Sequence, residues 1–302
     1  MYSQIASNKR RSVGLVVGFV IFVGLFGYVL SRALGRPGLF IFILVFALIY
    51  AIISYVAAAK ITLAMTGAKP VTRDQAPQLY RTVENLSIAA GLPMPKVYVI
   101  EDSSPNAFAT GRDPEHAVVA ATTGLLETLE PVELEGVIAH ELSHVGNYDI
   151  RFMALVVVLV AVVAMLADLF LKLTFWGGLG GDDDNEGGNS NIVFIILGIA
   201  GAILAPIAAS LVQLAVSRQR EYLADASGAL LTRYPDGLAR ALAKISQDPR
   251  GLKTANSATA SLYISNPLKG GKGAGKSLMR LFDTHPPIEE RIARLHNMES
   301  RV

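Results

Sequence analysis

The sequence predicts a mainly helical α+β protein in which four transmembrane helices carry one cytosolic domain. Three observations predict it. Of the 302 residues 52% are hydrophobic and only 17% charged, with a mean hydropathy of +0.42, too apolar for an ordinary soluble domain. The excess is gathered into four runs, 13–30, 38–59, 152–175 and 192–216, each near the roughly 20 residues that cross a bilayer core. Two polar stretches remain, 60–151 and 217–302, and these mix helical periodicity with short runs rich in β-branched residues.

Taken in order, residues 1–12 form a cytosolic N-terminal tail ending in Lys9, Arg10 and Arg11. Runs 13–30 and 38–59 form a membrane hairpin within 13–59, because the first lacks the small-residue cleavage site of a signal peptide and the second follows at once. The stretch 60–151 is the first half of the cytosolic domain. It predicts a helix over 76–90 stopped by Gly91 and Pro93, a strand over Lys96–Ile100, and strands over 107–110 and 117–121 separated by the turn residues 111–114. A helix then runs from Pro131 to Asn147, with proline at an allowed first-turn position and Glu133 and Glu135 near its positive end. Residues 152–216 form the second hairpin, where Asp168 with Lys172 one turn later reads as an ion path or, more commonly, as a paired, snorkelling end of the span, and Pro206 is a kink that neighbouring helices absorb. Residues 217–302 are the second half of the domain, mostly helical, broken at Pro235, at the Gly270–Gly275 loop and at Pro286 and Pro287.

Orientation follows from the basic residues beside the spans. The loop 176–191 contains Asp182, Asp183, Asp184 and Glu186 and no Lys or Arg, whereas Lys9 to Arg11, Lys60, Lys69, Arg73, Arg151, Arg218 and Arg220 all flank the opposite ends. That asymmetry puts the loop outside and both termini and both polar stretches in the cytosol. Arg32 and Arg36 in the short turn weaken it without reversing it.

Charge and cysteine content narrow the chemistry. Lys+Arg total 27 against Asp+Glu 25, with no long basic run, so the footprint of a nucleic-acid partner is missing and the lipid bilayer is the partner the composition implies. Cysteine is absent, which excludes disulfides, thiolate metal sites and a cysteine nucleophile. Any metal must rest on histidine and carboxylate.

The helix from Pro131 carries His140-Glu141-Leu142-Ser143-His144, a match to H-E-x-x-H. The i,i+4 spacing puts both imidazoles on one face, where they can share an ion, with Glu141 beside them as a general base toward a water at that ion. A catalytic zinc site usually has three protein ligands, and position 150 is Ile, so the longer pattern with a third histidine is absent. A carboxylate must complete the set. In Arg218-Gln219-Arg220-Glu221-Tyr222-Leu223-Ala224-Asp225, Glu221 and Asp225 are again i,i+4, so one could bind metal while the other accepts a hydrogen bond from a ligand imidazole. His144 lies just before the third apolar run and Glu221 just after the fourth, so an antiparallel hairpin brings them to one membrane surface.

Two N-terminal spans, His140-Glu141-x-x-His144, a further membrane hairpin, Glu221-Tyr222-x-Ala224-Asp225 and Thr284-His285-Pro286-Pro287 together resemble the HtpX family of membrane-bound zinc metalloproteases, relatives of the CAAX prenyl endopeptidases. The similarity covers essentially the whole chain. It implies a zincin-like catalytic domain of the gluzincin type, one zinc ion per chain, Glu221 as third ligand beside His140 and His144, Glu141 as general base and Asp225 as a supporting carboxylate. It further implies peptide or protein substrates, unfolded or membrane proteins above all, cut in quality control under stress at the cytosolic face of a plasma membrane such as the bacterial inner membrane. Asn106-Ala107-Phe108-Ala109-Thr110 resembles the edge strand that precedes the metal helix in this class, so Asn106 and Ala107 are expected to pair with extended substrate by strand addition. The family's C-terminal histidine assigns His285 to oxyanion stabilisation or substrate orientation. His116 and His296 lack such context and are expected to be structural.

One motif competes. Gly270-Gly271-Lys272-Gly273-Ala274-Gly275-Lys276-Ser277 satisfies the phosphate-loop pattern. That mechanism needs a strand before the loop and a nucleotide-binding sheet after it, and the 25 residues beyond Ser277 leave no room for one. No nucleotide is expected. The alternatives that remain are a dedicated membrane metallopeptidase for a processed or lipidated peptide and, from another class, a nucleotide-binding transporter or scaffold.

Overall fold

Unbroken apolar runs satisfy their backbone groups internally only as helices, and among the described residues the first three runs do so. The computed structural model describes residues 2–33, 37–179, 199, 217–255, 259–268 and 286–299. Helix α1 (Tyr2–Ala33) contains the first run, α2 (Gly38–Thr66) the second and α6 (Asp149–Leu179) the third. All of the run 192–216 but residue 199, nearly all of the acidic loop and the Gly270–Gly275 loop lie outside the described residues. The expected tail is instead helix: α1 begins at Tyr2, and Asn8 and Ser12 are buried.

Helices α1, α2 and α6 share an apolar core of Phe19, Val23, Ala47, Ala58, Val158 and Val162. Small residues let the first two approach closely, since a Cβ at Gly27 would stand 3.1 Å from Ile43. Among the described residues one helix, Ile5–Arg32, is by itself long and apolar enough to cross a membrane, or up to three spans if each bent helix pair is one. Asp168 and Lys172 pair at 2.7 Å on the exposed side of α6.

The polar stretches build a sheet flanked by helices. Strands β1 (Lys69–Pro70), β2 (Lys96–Ile100), β3 (Ala107–Thr110) and β4 (Val118–Thr122) lie in the order β1-β2-β4-β3. Lys96 pairs with Val118 in the parallel β2–β4 ladder, and Ala107 pairs with Ala121 in the antiparallel β3–β4 ladder. Helix α3 (Pro77–Ala90) ends at Gly91 in the left-handed conformation, φ 66°, which glycine adopts without a Cβ clash. A short helix α4 (Thr123–Thr128) starts on the Thr122 side-chain cap and leads to α5 (Pro131–Gly146).

Beyond its first turn helix α5 is almost wholly buried, with Leu134, Val137, Ile138, Leu142 and Val145 at 0–1% exposure, so it forms the centre of the domain. Glu130 and Glu133 close its N-terminus reciprocally. Helices α7 (Arg218–Thr232), α8 (Pro235–Gln247) and α9 (Ile288–Glu299) come from the second polar stretch, and Ala229, Leu238, Leu242 and Leu295 join Val83, Val119 and Val137 in one core.

Two helix crossings place α5 within backbone contact of its neighbours. A Cβ at Gly136 would stand 2.7 Å from the backbone nitrogen of Leu238, and one at Gly228 would stand 2.9 Å from that of His140. The second contact sets how closely α7 approaches the H-E-x-x-H segment. Gly228→Ala should therefore lower stability by about 1–3 kcal/mol through forced backbone displacement, measured by denaturant unfolding of detergent-solubilised protein; a change within about 0.5 kcal/mol would show that the crossing yields freely.

Candidate metal centre

Three ligand-bearing residues converge where α5 crosses α7. The ligand atoms of His140, His144 and Glu221 all lie within 4.8 Å of one another, and all three residues are buried. The two Nε2 atoms are 3.2 Å apart, Glu221 Oε1 is 3.6 Å from His144 Nε2, and Glu221 Oε2 is 3.8 Å from His140 Nε2. Tetrahedral ligands with metal–nitrogen bonds of about 2.0–2.1 Å stand about 3.3 Å from each other, so the imidazole pair already has the separation one ion requires.

The far side of each ring meets a carboxylate. His140 Nδ1 sits 2.9 Å from Asp225 Oδ1, close enough for an ion pair although off the line of a well-formed hydrogen bond. His144 Nδ1 lies 3.0 Å from Asp149 Oδ2. Carboxylates only accept, so each neutral ring keeps its proton on Nδ1 and turns an Nε2 lone pair toward the other. Two facing lone pairs repel unless a cation lies between them, and that donor set fits a metal ion.

Asp225 is in turn held by Arg291 of α9, whose Nε and Nη2 donate to its two oxygens at 2.9 and 2.7 Å. The third contact of this fully buried guanidinium is the Ile264 carbonyl at 3.1 Å, and its Nη1 also stands 3.9 Å from Glu221. Burial would raise the Asp225 carboxyl, but the Arg291 charge and then His140 outweigh it and hold the group at about 2. Burial moves His140 below its ordinary value against the pull of Asp225. Burial also opposes protonation of His144, yet the Asp149 hydrogen bond and the Glu221 charge lift it to about 9.

Glu141 differs from the ligands in its surroundings. Burial drives its carboxyl up to about 7, with His144 opposing and Glu221 assisting, and the Ala109 backbone N–H donates to it. A carboxyl poised near neutrality beside a metal site is suited to taking and returning a proton.

Other expectations fall differently. Asn106 and Ala107 are buried, and their polar groups are already spent on the chain itself: Ile264 N–H donates to the Ala107 carbonyl at 3.0 Å, and Asn106 Nδ2 donates to the Ser265 carbonyl at 2.9 Å. The outer edge of β3 is thus closed at its first residue by residues 264–265, and an incoming peptide cannot pair there without displacing them. His285 lies outside the described residues. His116 contacts Asp113 at 2.6 Å and His296 approaches Asp236 at 3.5 Å, both away from the cluster.

Sequence reasoning missed Asp149 and Arg291. Arg291 did leave a trace, for Ile288, Arg291, Ile292 and Leu295 share one face of α9, and a cation on an apolar stripe requires a buried partner.

A model of peptidase family M48 matches residues 73–299, a range that holds the whole cluster. The chain belongs to peptidase family M48. Within this family it is 50% identical over 298 residues to a Protease HtpX homolog of Tropheryma whipplei (strain Twist), covering 99% of this chain and 98% of that protein. It is 44% identical over 301 residues to a Protease HtpX homolog of Ligilactobacillus salivarius (strain UCC118), covering 99% and 100%. These relatives place it among the HtpX-type M48 metallopeptidases. The crystal structure of S. mikatae Ste24p shares the fold, with a TM-score of 0.50 and 21% identity over 98% of this chain and 67% of that one.

In this M48 fold Arg291 is the internal counter-charge of the ligand cluster. Arg291→Met should cost about 3–5 kcal/mol because it strands Asp225 in the interior. Arg291→Met combined with Asp225→Asn should recover part of that loss. Equal stabilities for the wild type and the single variant in denaturant unfolding would contradict the role.

Proposed function

We propose that this M48 peptidase is a zinc endopeptidase embedded by four helices, cutting unfolded and membrane proteins at the cytosolic face of a cell membrane in quality control under stress. The observation that carries the reading is Glu141, a buried carboxyl near neutrality beside two imidazoles and a carboxylate that face one another. Two histidines and a carboxylate, leaving one position open, is a donor set used for catalytic zinc. Zinc held by His140, His144 and Glu221 would polarise the scissile carbonyl and acidify the attacking water. Glu141 takes the proton from that water and delivers it to the leaving nitrogen, while Ala109 N–H keeps the carboxylate aimed. Asp225 and Asp149 hold the two rings by their Nδ1 atoms. His285 is assigned to the developing negative charge on the carbonyl oxygen or to substrate orientation.

The cytosolic face follows from the basic residues that flank the apolar runs and from the acidic loop between the third and fourth. Proximity to the bilayer follows from chain connectivity. Asp149, which opens the third apolar helix, is five residues beyond His144, and Glu221 lies in the first turn of α7, just past the fourth run.

The test uses purified enzyme in lipid vesicles and a membrane substrate with one unstructured segment. The segment lies either beside its span or about 60 Å away on a helical spacer of some 40 residues. Wild type should cut the near form much faster, a chelator should stop it, and Glu141→Gln should bind zinc as wild type does while losing turnover. Chelator-resistant cleavage would sink the metallopeptidase reading. Equal rates at both distances would sink membrane proximity, and zinc loss in Glu141→Gln would contradict its role as a base.

A further inference from the structure

The turn between α5 and α6 is held from the N-terminus of the chain. Asn8 in α1, 2% exposed, donates from Nδ2 to the Asn147 carbonyl at 2.9 Å and to Asp149 Oδ1 at 2.7 Å. The other oxygen of Asp149 is the one 3.0 Å from His144 Nδ1. A single carboxylate therefore connects the first apolar helix to a ligand of the metal centre.

We propose that Asn8 is a positioning residue for this centre, acting through Asp149 to set the ring of His144, so that α1 completes the ligand geometry. The inference rests on the metallopeptidase reading of the His140, His144 and Glu221 cluster and extends it to the membrane-side helix.

The chemistry of the contact leaves little freedom. Both neighbours of the Asn8 amide are acceptors, so its nitrogen must face them, and its two N–H groups are both used. Asn147 and Asp149 are 3% and 1% exposed, so bulk water does not reach the contact to replace a lost donor. Asp149 Oδ1 also faces Arg220 Nε at 3.6 Å, beyond a normal hydrogen bond. Without Asn8 the carboxylate would turn toward that guanidinium and draw Oδ2 away from His144. Tyr148 between the two acceptors adopts φ 61°, rare for a residue with a side chain, and Lys9 Nζ lies 4.4 Å from its ring centre. Consecutive residues of α1 thus grip consecutive residues of the turn, Lys9 on Tyr148 and Asn8 on both its neighbours.

Outer hydrogen-bond partners of metal-ligating histidines typically govern affinity by about 10–100-fold. One step further out, Asn8→Ala should weaken zinc binding by about 10-fold, read by competition with a chromophoric chelator on full-length protein in detergent. Asn8→Asp should weaken it more, because an ionised carboxylate there offers no N–H and faces two acceptors. Val23→Ala, which trims the core shared by α1, α2 and α6 without touching this network, should lower thermal stability and leave zinc affinity unchanged. If Asn8→Asp fails to fold, Asn8→Ala decides. Wild-type affinity in Asn8→Ala, or an equal loss in Val23→Ala, would overturn the inference alone. A wild type that binds no stoichiometric zinc would overturn the metallopeptidase reading and this inference with it.

Discussion

Glu141, Asp149, Glu221 and Asp225 are four carboxylates buried around one pair of imidazoles, and burying charge without compensation costs far more than a domain's net stability. The chain supplies two buried guanidiniums, Arg220 and Arg291, within ion-pair reach of three of these acids. With both imidazoles neutral, two negative charges remain in excess, and a divalent cation held among His140, His144 and Glu221 would balance them. Without that cation, protons do part of the work: His144 is held protonated up to about 9, and Glu141 retains its proton up to about 7. Each site residue is therefore constrained by the same balance that would admit a metal.

The architecture serves that balance. The candidate ligands sit on α5 and α7, far apart in sequence, and they meet because Gly228 lets α7 come against the backbone at His140. Arg291 reaches the same point from α9 and bonds the Ile264 carbonyl as well, so the segment that closes the β3 edge is tied to the charge network. On the side of the apolar helices, α1 and α6 meet the turn at the far end of α5. The 81° bend between Pro131–Gly146 and Asp149–Met165 turns the chain from the apolar helices into the centre of the domain. The candidate metal centre and the apolar helices share a boundary only a few residues thick.

Much of this was legible in the sequence where one local periodicity sufficed. His140 and His144 could be paired because i,i+4 spacing fixes their common face; the order of apolar runs brings Glu221 and Asp225 back toward His144, and the family resemblance chose Glu221 as the third ligand. Strands Lys96–Ile100 and Ala107–Thr110 and the helix from Pro131 were readable from β-branched runs, turn residues and an N-terminal proline. Asp149 was hidden because an acidic residue opening a helix already has a sufficient reason in the helix dipole. The N-terminal residues read as a tail because basic residues flanking a span are normally solvated, and a sequence pattern does not reveal tertiary contacts such as those of Asn8 and Lys9. Asn106 and Ala107 read as a substrate-pairing edge from the family resemblance, and neither that nor the local sequence reveals what lies beside the strand, which is the distant Ile264–Ser265 segment.

The claim that one cation binds among His140, His144 and Glu221 can be measured by X-ray absorption at the zinc edge on purified, zinc-loaded protein. The predicted spectrum has two imidazole nitrogens at about 2.0–2.1 Å and light-atom oxygen donors at about 2.0–2.2 Å. His144→Ala should remove one imidazole from the spectrum of whatever zinc remains. A wild-type spectrum with no imidazole scattering, or a His144→Ala spectrum identical to wild type, would contradict the assignment.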